Sequence, residues 1–256
     1  MRIIVLAAGE GSRLRPYTRD KPKCMVSVFG KPIIEYQLKV FEEFGIDDIT
    51  VVTGYKSENI NYPYINIIKN QKYKKTNMVY SLMCAKDLLN GDDDVIITYG
   101  DIIFEKRIFK TIYNATEDFS ITIDKGWKKL WSVRMTNPLE DAETLKIRQG
   151  KIVEIGKTPQ NYEEIEGQYM GIIKIKSTIL KELVSYWESM DRSKLYDGRN
   201  IDNLFFTYLI QCLVDDGWII NPLIISNGWL EIDSVEDLEI YEKLYASREI
   251  ESIYKK

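Results

Sequence analysis

The first apolar run of the chain and the turn that follows it cover residues 2–14, Arg2-Ile3-Ile4-Val5-Leu6-Ala7-Ala8-Gly9-Glu10-Gly11-Ser12-Arg13-Leu14. Ile3 to Leu6 is a short run of large apolar residues, which predicts a strand buried on both faces. The small residues after it let the backbone approach a ligand closely, and their amides can bind phosphate oxygens. Arg13 in the turn and Lys23 beyond it add positive charge. The pattern therefore predicts a strand that ends in a phosphate-binding turn rather than an ordinary glycine-rich turn.

Beyond this turn, strand-like apolar runs alternate with segments of helical period. Strands are predicted at residues 49–53, 65–68, 95–98, 119–124, 131–135, 145–148, 152–155, 169–175, 218–225 and 229–232. Helices are predicted over residues 32–44, 77–89, 178–190, 201–216 and 235–245. This alternation is typical of an α/β fold with a mostly parallel, doubly wound sheet. Ligands bind beyond the carboxyl ends of the strands in such a sheet, which is where the glycine-rich turn lies.

The composition of the 256-residue chain excludes several classes of partner. Its 35 basic and 39 acidic residues give a net charge of −4, and without a long basic run we expect no nucleic-acid partner. No apolar stretch approaches the roughly 20 residues of a membrane span, and residues 2–14 do not resemble a signal peptide. Cys24, Cys84 and Cys212 are widely separated, which favours free thiols. We therefore expect a cytoplasmic protein with no membrane partner.

The chain contains no histidine. Its absence excludes Ser-His-Asp and Cys-His catalysis, zinc sites with histidine ligands and histidine general bases. Catalysis must then depend on Lys, Arg, Asp and Glu side chains, backbone amides and a hard metal ion. This set of groups is typical of phosphoryl transfer.

Asp101 and a carboxylate of the segment 229–233 are candidate ligands of Mg²⁺, which prefers oxygen and often takes only one or two protein carboxylates. Asp101 follows the strand predicted at residues 95–98, where a carboxylate can face the ligand crevice. Strand period places Glu231 and Asp233 on one face of the strand predicted at residues 229–232. Other roles stay open at this point, because Asp101 could cap a turn and Asp233 could cap the last helix.

Two other phosphate-binding motifs do not fit. A Walker motif ends in Gly-Lys-Ser/Thr, whereas this turn continues from Gly11 to Ser12 and Arg13. The dinucleotide fingerprint needs a third glycine where Leu14 stands and a helix directly after it, whereas Pro16 interrupts. The turn therefore predicts neither a P-loop ATPase nor a dehydrogenase.

The pattern LAAGxGxRL over residues 6–14, with KPK at 21–23 and Gly-Asp at 100–101, resembles the sugar-phosphate nucleotidyltransferases and the related cytidylyltransferases. The resemblance covers essentially the whole chain and implies a Rossmann-like sheet with an acceptor-binding lobe. It implies one domain over residues 1–256, in which residues 1–118 mainly bind nucleotide and residues 119–256 mainly bind acceptor.

The same resemblance implies roles for individual residues. Arg13 and Lys23 would act on the phosphates, and Mg²⁺ would bind Asp101 and Asp233. The nucleotide contacts that it implies are Leu6, Ala7, Ala8, Gly9, Gly11, Arg13, Lys23, Ser81 and Gly100.

Segments at residues 77–82, 124–127 and 137–143 resemble the phosphocholine and aminoethylphosphonate cytidylyltransferases more narrowly. The acceptor contacts implied are Asp124, Lys125, Trp127, Arg134, Lys157 and Tyr169, with Arg134 on the strand predicted at 131–135. Lys157 stands where the sugar enzymes carry the lysine that binds the acceptor phosphate, so it is the fourth implied catalytic residue beside Arg13, Lys23 and Asp101. Two alternatives stay open, because Lys157 could be a solvated turn lysine and Trp127 a packing residue.

The resemblance implies an Mg²⁺-dependent transfer of CMP from CTP to a small phosphorylated acceptor, with release of pyrophosphate. Phosphoglutamine is the first expectation for the acceptor, then phosphocholine or aminoethylphosphonate, and the expected use is capsule or surface polysaccharide modification. One alternative is a sugar-1-phosphate uridylyl- or thymidylyltransferase, and another is a non-catalytic nucleotide-binding regulatory subunit. Leu238, Tyr241 and Tyr245 lie on one side of the last predicted helix, which indicates either a core face or the seam of a homodimer.

Overall fold

The computed structural model describes residues 1–255, so Lys256, the last residue of the predicted domain, lies outside the described part. The strands are β1 Arg2–Ala7, β2 Ser27–Val28, β3 Lys31–Pro32, β4 Ile49–Thr53, β5 Asn66–Lys69, β6 Val95–Tyr99, β7 Ile102–Phe104, β8 Phe119–Asp124, β9 Leu145–Arg148, β10 Lys151–Ile155, β11 Gln168–Ile175, β12 Asn221–Ile225 and β13 Trp229–Glu231. The α-helices are α1 Ile33–Glu43, α2 Met78–Met83, α3 Lys106–Tyr113, α4 Trp127–Arg134, α5 Ser177–Ser189, α6 Phe206–Asp215 and α7 Val235–Ala246.

The central sheet has seven strands in the order β12-β8-β11-β6-β1-β4-β5. Neighbouring strands run parallel except at β11, which is antiparallel to both β6 and β8. The predicted mostly parallel α/β sheet is thus confirmed. Strands from both halves of the chain share this sheet, so the turn after β1 and the later acidic segments lie along connected strands.

Helices cover both faces of the sheet, as the continuous apolar strands require. Along β1, Ile3 and Val5 are buried in one apolar cluster, which includes residues of α1. Ile4 and Leu6 are buried in a second cluster, which includes residues of α2 and α6. Since successive side chains of a strand point to opposite faces, the two clusters lie on the two sides of the sheet.

A small antiparallel pair, β7 with β13, joins the two acidic segments. Glu231 pairs with Ile102 in this ladder, and the N–H of Ile232 donates to the carbonyl of Asp101 at 2.9 Å. Asp101 and Asp233 are separated by 132 positions in the sequence, and this pairing brings their main chains side by side.

The strand predicted at residues 131–135 was wrong. Those residues belong largely to helix α4, so Arg134 is the last residue of a helix rather than a strand residue. Trp127, Leu130 and Trp131 are buried at helical spacing, and this packing outweighs the strand preference of tryptophan and valine.

Two predicted helices are shorter than expected. The helix predicted over residues 77–89 stops at Met83 and is followed by a 3₁₀ turn at Lys86–Leu88. The helix predicted over residues 201–216 begins only at Phe206, because Ile201–Asn203 form a separate 3₁₀ turn capped by the Asn200 side chain.

The last helix packs with its apolar side inward. Leu238 and Tyr241 are buried, and the Tyr245 ring stacks on Phe29 with centroids 4.4 Å apart. The core alternative is therefore confirmed for Leu238 and Tyr241, while the homodimer stays a prediction. Within residues 1–255, no helix combines the length and the apolar character needed to cross a membrane.

Candidate active site

Lys23 joins the two predicted metal carboxylates. Its ammonium donates to Asp101 Oδ2 at 2.7 Å and to Asp233 Oδ1 at 2.6 Å. Arg13 contacts the other oxygen of Asp233, with Nη2 2.6 Å from Oδ2. The structure therefore brings together four residues that the sequence singled out, in one cluster at the carboxyl ends of β1 and β6.

The electrostatics of this cluster favour the charged forms. Burial by itself lowers the pKa of Lys23, but the charges of Asp101, Asp233 and Glu231 outweigh burial and raise it above its usual value. For Asp233 the directions are reversed. Burial by itself raises its pKa, but the positive charges of Lys23 and Arg13 outweigh burial and lower the pKa below its usual value. The contact between Lys23 and Asp233 thus favours the charged form of both side chains.

The turn after β1 depends on Gly11. This residue has φ 61° and ψ 45°, the left-handed conformation that glycine adopts at little cost. A Cβ at Gly11 would lie 3.0 Å from Lys23 Cβ and 3.1 Å from Thr18 Cγ2. The Thr18 hydroxyl donates to the Gly11 carbonyl at 2.8 Å, which closes the turn over the segment that carries Lys23.

We expect Gly11→Ala to lower the free energy of unfolding by about 1–3 kcal/mol, because alanine is strained in this conformation and crowds Lys23. Chemical denaturation measures the change. Gly9→Ala is the matched control, since a Cβ there meets no protein atom within 4 Å. Equal stability of the Gly11→Ala protein and wild type would contradict the prediction.

Asp101 has an unused acceptor. Its Oδ1 is buried and has no hydrogen-bond partner, whereas Oδ2 accepts from Lys23. A buried carboxylate oxygen without a partner is uncommon and points to a missing cation or donor. The described residues include no group of three or more acidic or cysteine side chains placed to hold a metal. Magnesium needs only one or two carboxylates beside water and phosphate oxygens, so Asp101 and Asp233 fit it.

A small cavity of about 160 Å³ lies beside the turn after β1. It is lined by Leu6, Ala8, Gly9, Tyr73, Thr76, Asn77, Met78, Ser81, Tyr99 and Asp101. Five of these were predicted from the sequence as nucleotide or metal contacts: Leu6, Ala8, Gly9, Ser81 and Asp101. The Ser81 hydroxyl accepts from Asn70 Nδ2 at 3.0 Å, which connects the cavity to the loop after β5.

Two further predicted nucleotide contacts, Ala7 and Gly100, lie where the carboxyl ends of β1 and β6 pack against each other. Neither residue is among the described residues that line this cavity. The N–H of Gly100 donates to the Leu6 carbonyl at 2.9 Å, and a Cβ at Gly100 would lie 2.7 Å from Ala7 Cβ. These two residues therefore let β1 and β6 pack closely beneath the turn.

A second cavity of about 260 Å³ adjoins the first and shares Met78 and Tyr99 with it. Its remaining lining residues are Arg13, Ile102, Trp131, Asp141, Glu143, Gln168, Tyr169, Met170, Gly171, Phe205, Thr207, Trp229, Glu231 and Asp233. Acidic and aromatic side chains dominate this set, and Arg13 beside Asp233 is the one cation among the described residues that line it. The cavity is therefore suited to a ligand with a positively charged group.

Glu143 lies in this second cavity and is held on several sides. Thr207 Oγ1 donates to its Oε1 at 3.1 Å, and Gln168 bonds its main chain in both directions, at 3.0 Å and 2.6 Å. Burial raises the pKa of Glu143 from 4.5 to about 7, with the nearby Asp141 charge acting in the same direction. A cation next to Glu143 would relieve this unfavourable charge.

Most of the predicted acceptor contacts lie elsewhere. Tyr169 lines the second cavity, whereas Lys125 and Lys157 are exposed and lie outside its described lining. Lys157 pairs with Glu154 at 2.9 Å, as the alternative of a solvated turn lysine implied. Trp127 is buried and packs edge-on against Trp131, as the packing alternative implied.

Asp124 and Arg134 are buried in networks of their own. Asp124 accepts from the indole N–H of Trp229 at 2.8 Å and from two main-chain N–H groups, so it braces the end of β8. The guanidinium of Arg134 bonds Glu231 and Asp237 and is only 3% exposed. Their charges are satisfied within the protein, and the structure does not place either residue against the cavity.

Sequence reasoning did not assign roles to Glu143, Trp131 or Trp229. The role of Glu143 could have been suspected from the segment at 137–143, because this segment contains Asp141 and Glu143 and resembles a cytidylyltransferase motif. Trp131 was hidden by the mistaken strand at residues 131–135. Its indole N–H donates to Asp141 Oδ2 at 3.1 Å, a contact that only the helix α4 makes possible.

Comparison with known proteins identifies the family of the chain. The family model of the MobA-like NTP transferase domain matches residues 3–155. CTP:phosphoglutamine cytidylyltransferase of Campylobacter jejuni is 42% identical over 249 residues, which cover 94% of this chain and 98% of that protein. Choline-phosphate cytidylyltransferase of Streptococcus pneumoniae is 38% identical over 125 residues, 47% of this chain and 53% of that protein.

A solved structure shows the same fold. The inositol-1-phosphate CTP transferase of T. maritima superposes with a TM-score of 0.73 at 22% identity, covering 99% of this chain and 98% of that one. The likeness extends over both halves of the chain. The turn after β1, Lys23 and Asp101 lie within the region that the family model matches. The chain therefore belongs to the family of MobA-like NTP transferase domains and is a nucleotidyltransferase of the cytidylyltransferase branch.

Proposed function

We propose that the protein transfers CMP from CTP to a small phosphorylated acceptor that carries a positively charged amino group, with phosphoglutamine as the first choice. The observation that carries this proposal is the acidic and aromatic cavity that opens directly beside Lys23, Asp101 and Asp233. The 42% identity to the phosphoglutamine enzyme over nearly the whole chain supports the same acceptor. Phosphocholine and aminoethylphosphonate are the further candidates, and a CDP-linked product would suit capsule or surface polysaccharide modification.

We also propose that one of the two cavities binds the nucleotide and the other binds the acceptor. The cavity that we assign to the nucleotide is lined by residues between Leu6 and Asp101. Most residues of the cavity that we assign to the acceptor lie between Trp131 and Asp233. Residues 1–118 would thus mainly bind nucleotide, and residues 119–256 would mainly bind acceptor.

The proposed reaction needs no general base. The terminal phosphoryl group of the acceptor is expected to be ionised at neutral pH, as a phosphate monoester is with its second pKa near roughly 6, so the acceptor oxygen is already a nucleophile. It attacks the α-phosphorus of CTP, a P–O bond forms to the acceptor, and the bond to the β-phosphate oxygen breaks with release of pyrophosphate. Lys23 and Arg13 balance the negative charge that gathers between the two phosphates.

Asp101 and Asp233 are the residues that would hold Mg²⁺. When bound, the ion would supply positive charge to the phosphate oxygens of the nucleotide. Lys23 and Arg13 then complete the charge balance from the side of the turn after β1, which also orients the nucleotide through its backbone. Catalysis by this site would consist of positioning and electrostatic stabilisation.

A substrate panel tests the proposal. CTP, UTP, dTTP and ATP are each offered with Mg²⁺ and phosphoglutamine, phosphocholine, aminoethylphosphonate or glucose-1-phosphate, and pyrophosphate release is measured. We expect release with CTP and an amino-bearing acceptor. Release only with UTP or dTTP and the sugar phosphate would overturn the cytidylyl proposal, and no release with any pair would favour the regulatory alternative.

Glu143→Gln tests the acceptor cavity. We expect KM for the amino-bearing acceptor to rise about 10- to 100-fold with little change in kcat, since a hydrogen bond to a charged group contributes about 1.5–3 kcal/mol. In wild type, kcat/KM should rise as the pH passes 7 and Glu143 ionises. The variant should lack that step but keep the rise near roughly pH 6 that belongs to the acceptor phosphate.

Stability provides the control for this variant. Because burial raises the pKa of Glu143 in the folded state, its contribution favours folding at low pH and is lost as the pH rises through 7. Glu143→Gln should therefore melt at a higher temperature than wild type at pH 8 and at a similar one at pH 5. An unchanged KM in this folded variant would remove Glu143 from the acceptor site.

A further inference from the structure

Arg134 and Asp237 form a buried ion pair directly behind the candidate metal carboxylate Asp233. Arg134 ends helix α4, and Asp237 lies in the first turn of helix α7. The guanidinium Nε lies 3.0 Å from Asp237 Oδ1, and Nη2 lies 3.2 Å from Oδ2. Both side chains are at most 5% exposed, so the pair is closed off from solvent.

The same pair holds the main chain at Asp233. Oδ2 of Asp237 accepts from the N–H groups of Asp233 and Ser234, each at 3.0 Å. The Ser234 hydroxyl accepts in return from the N–H of Asp237, which completes a capping box at the start of α7. A capping box by itself satisfies only the helix start, whereas here Asp237 accepts an additional bond from the N–H of Asp233, the residue that carries a candidate ligand.

Arg134 also reaches the other side of the site. Its Nη1 donates to Glu231 Oε2 at 2.7 Å, on the strand that pairs with β7. The planar guanidinium of Arg134 thus bonds both ends of the segment 231–237, namely Glu231 and the Asp237 side chain that caps α7. Asp233 lies between these two anchors and has its own carboxylate directed to Lys23 and Arg13.

We propose that Arg134 and Asp237 are positioning residues that fix Asp233 in the orientation in which it binds a divalent cation. This proposal rests on the proposed function, because it takes Asp101 and Asp233 as the cation ligands. Neither residue touches substrate in this role, and both act through the main chain and the carboxylate of the segment 231–237. Groups that orient metal ligands in this way typically change metal affinity by about 10- to 100-fold when they are removed.

The experiment measures Mn²⁺ binding to the full chain by electron paramagnetic resonance, without nucleotide. We expect Asp101→Asn and Asp233→Asn to abolish site binding, and Asp237→Ala and Arg134→Met to weaken it about 10- to 100-fold. If either of the latter two fails to fold, Asp237→Asn and Arg134→Lys take its place. Asn keeps an acceptor for the Asp233 N–H but loses the ion pair, and Lys keeps the positive charge but lacks the planar fork through which Arg134 bonds both oxygens of Asp237.

Two controls separate positioning from general stability. Ser234→Ala removes the other half of the same capping box but leaves the bond from the Asp233 N–H to Asp237. Lys174→Met removes a buried charge that bonds the carbonyls of Tyr113 and Ala115 on another part of the sheet. Both should lower the melting temperature and keep the wild-type Mn²⁺ affinity.

The outcomes distinguish the two proposals. Wild-type Mn²⁺ affinity in folded Arg134 and Asp237 variants, with loss in the Asp101 and Asp233 variants, would overturn the positioning role and leave the proposed site intact. Unchanged affinity in the Asp101 and Asp233 variants would overturn the cation site itself and the positioning role with it.

Discussion

Asp101→Asn should lower turnover by at least about 10²–10³-fold, the loss that follows removal of one group that stabilises a transition state. Asn keeps the size of the side chain and an oxygen that can accept from Lys23, so the fold should survive. It loses the charge that Oδ1 offers to a cation, and that oxygen is buried without a protein partner. Steady-state release of pyrophosphate measures the effect, and circular dichroism checks the fold.

Asp118→Asn is the matched control for this variant. Asp118 is 64% exposed and lies 3.9 Å from Lys176, so its charge contributes little to the fold or to the site. Turnover of the control should equal that of wild type. Near-wild-type turnover in a folded Asp101→Asn protein would remove Asp101 from the proposed cation site.

Lys23→Met should lower both activity and stability. The Lys23 side chain is 14% exposed and pairs with both Asp101 and Asp233, so its loss leaves Asp101 without this cation and Asp233 with Arg13 alone. Removal of one partner from a buried ion pair typically costs about 3–5 kcal/mol of unfolding free energy. Turnover should fall about 10²–10³-fold, since a group that balances the charge of the leaving pyrophosphate is removed.

The response to Mg²⁺ makes this variant informative. If Asp101 and Asp233 bind the ion, Mg²⁺ should restore part of the stability of Lys23→Met, because a bound cation replaces the missing ammonium. Chemical denaturation with Mg²⁺ and with a chelator measures this, and wild type should respond less. Equal curves in both conditions for the variant would contradict cation binding between these carboxylates.

Short sequence patterns were sufficient to predict the structures that depend only on neighbouring residues. The apolar run at residues 3–6 followed by small residues allows few structures other than a buried strand and a tight turn, and β1 and the turn at Gly11 have that structure. Asp101 also follows a buried strand, so its position at the carboxyl end of that strand could be predicted without knowledge of its neighbours in space. The absence of histidine from the composition excluded every mechanism that needs a histidine base or ligand.

Roles that depend on orientation could not be predicted in this way. Arg134, Asp124 and Trp127 lie in a segment that resembles an acceptor site, and yet their side chains are buried in internal contacts. The direction of a side chain depends on the packing of helix α4 against α7 and β13. That packing joins residues about 100 positions apart in the chain, and no window of sequence contains it.

Neighbouring residues and strand or helix period were enough to predict the tight turn after β1, the sheet class and the carboxylate after β6. Three features could not be predicted in that way: Lys23 lies between Asp101 and Asp233, Glu143 rather than Lys157 lines the cavity, and Arg134 pairs with Glu231 and Asp237. The physical reason is that charge pairing and burial are set by distances in space, and the β7–β13 pairing and the helix contacts create those distances.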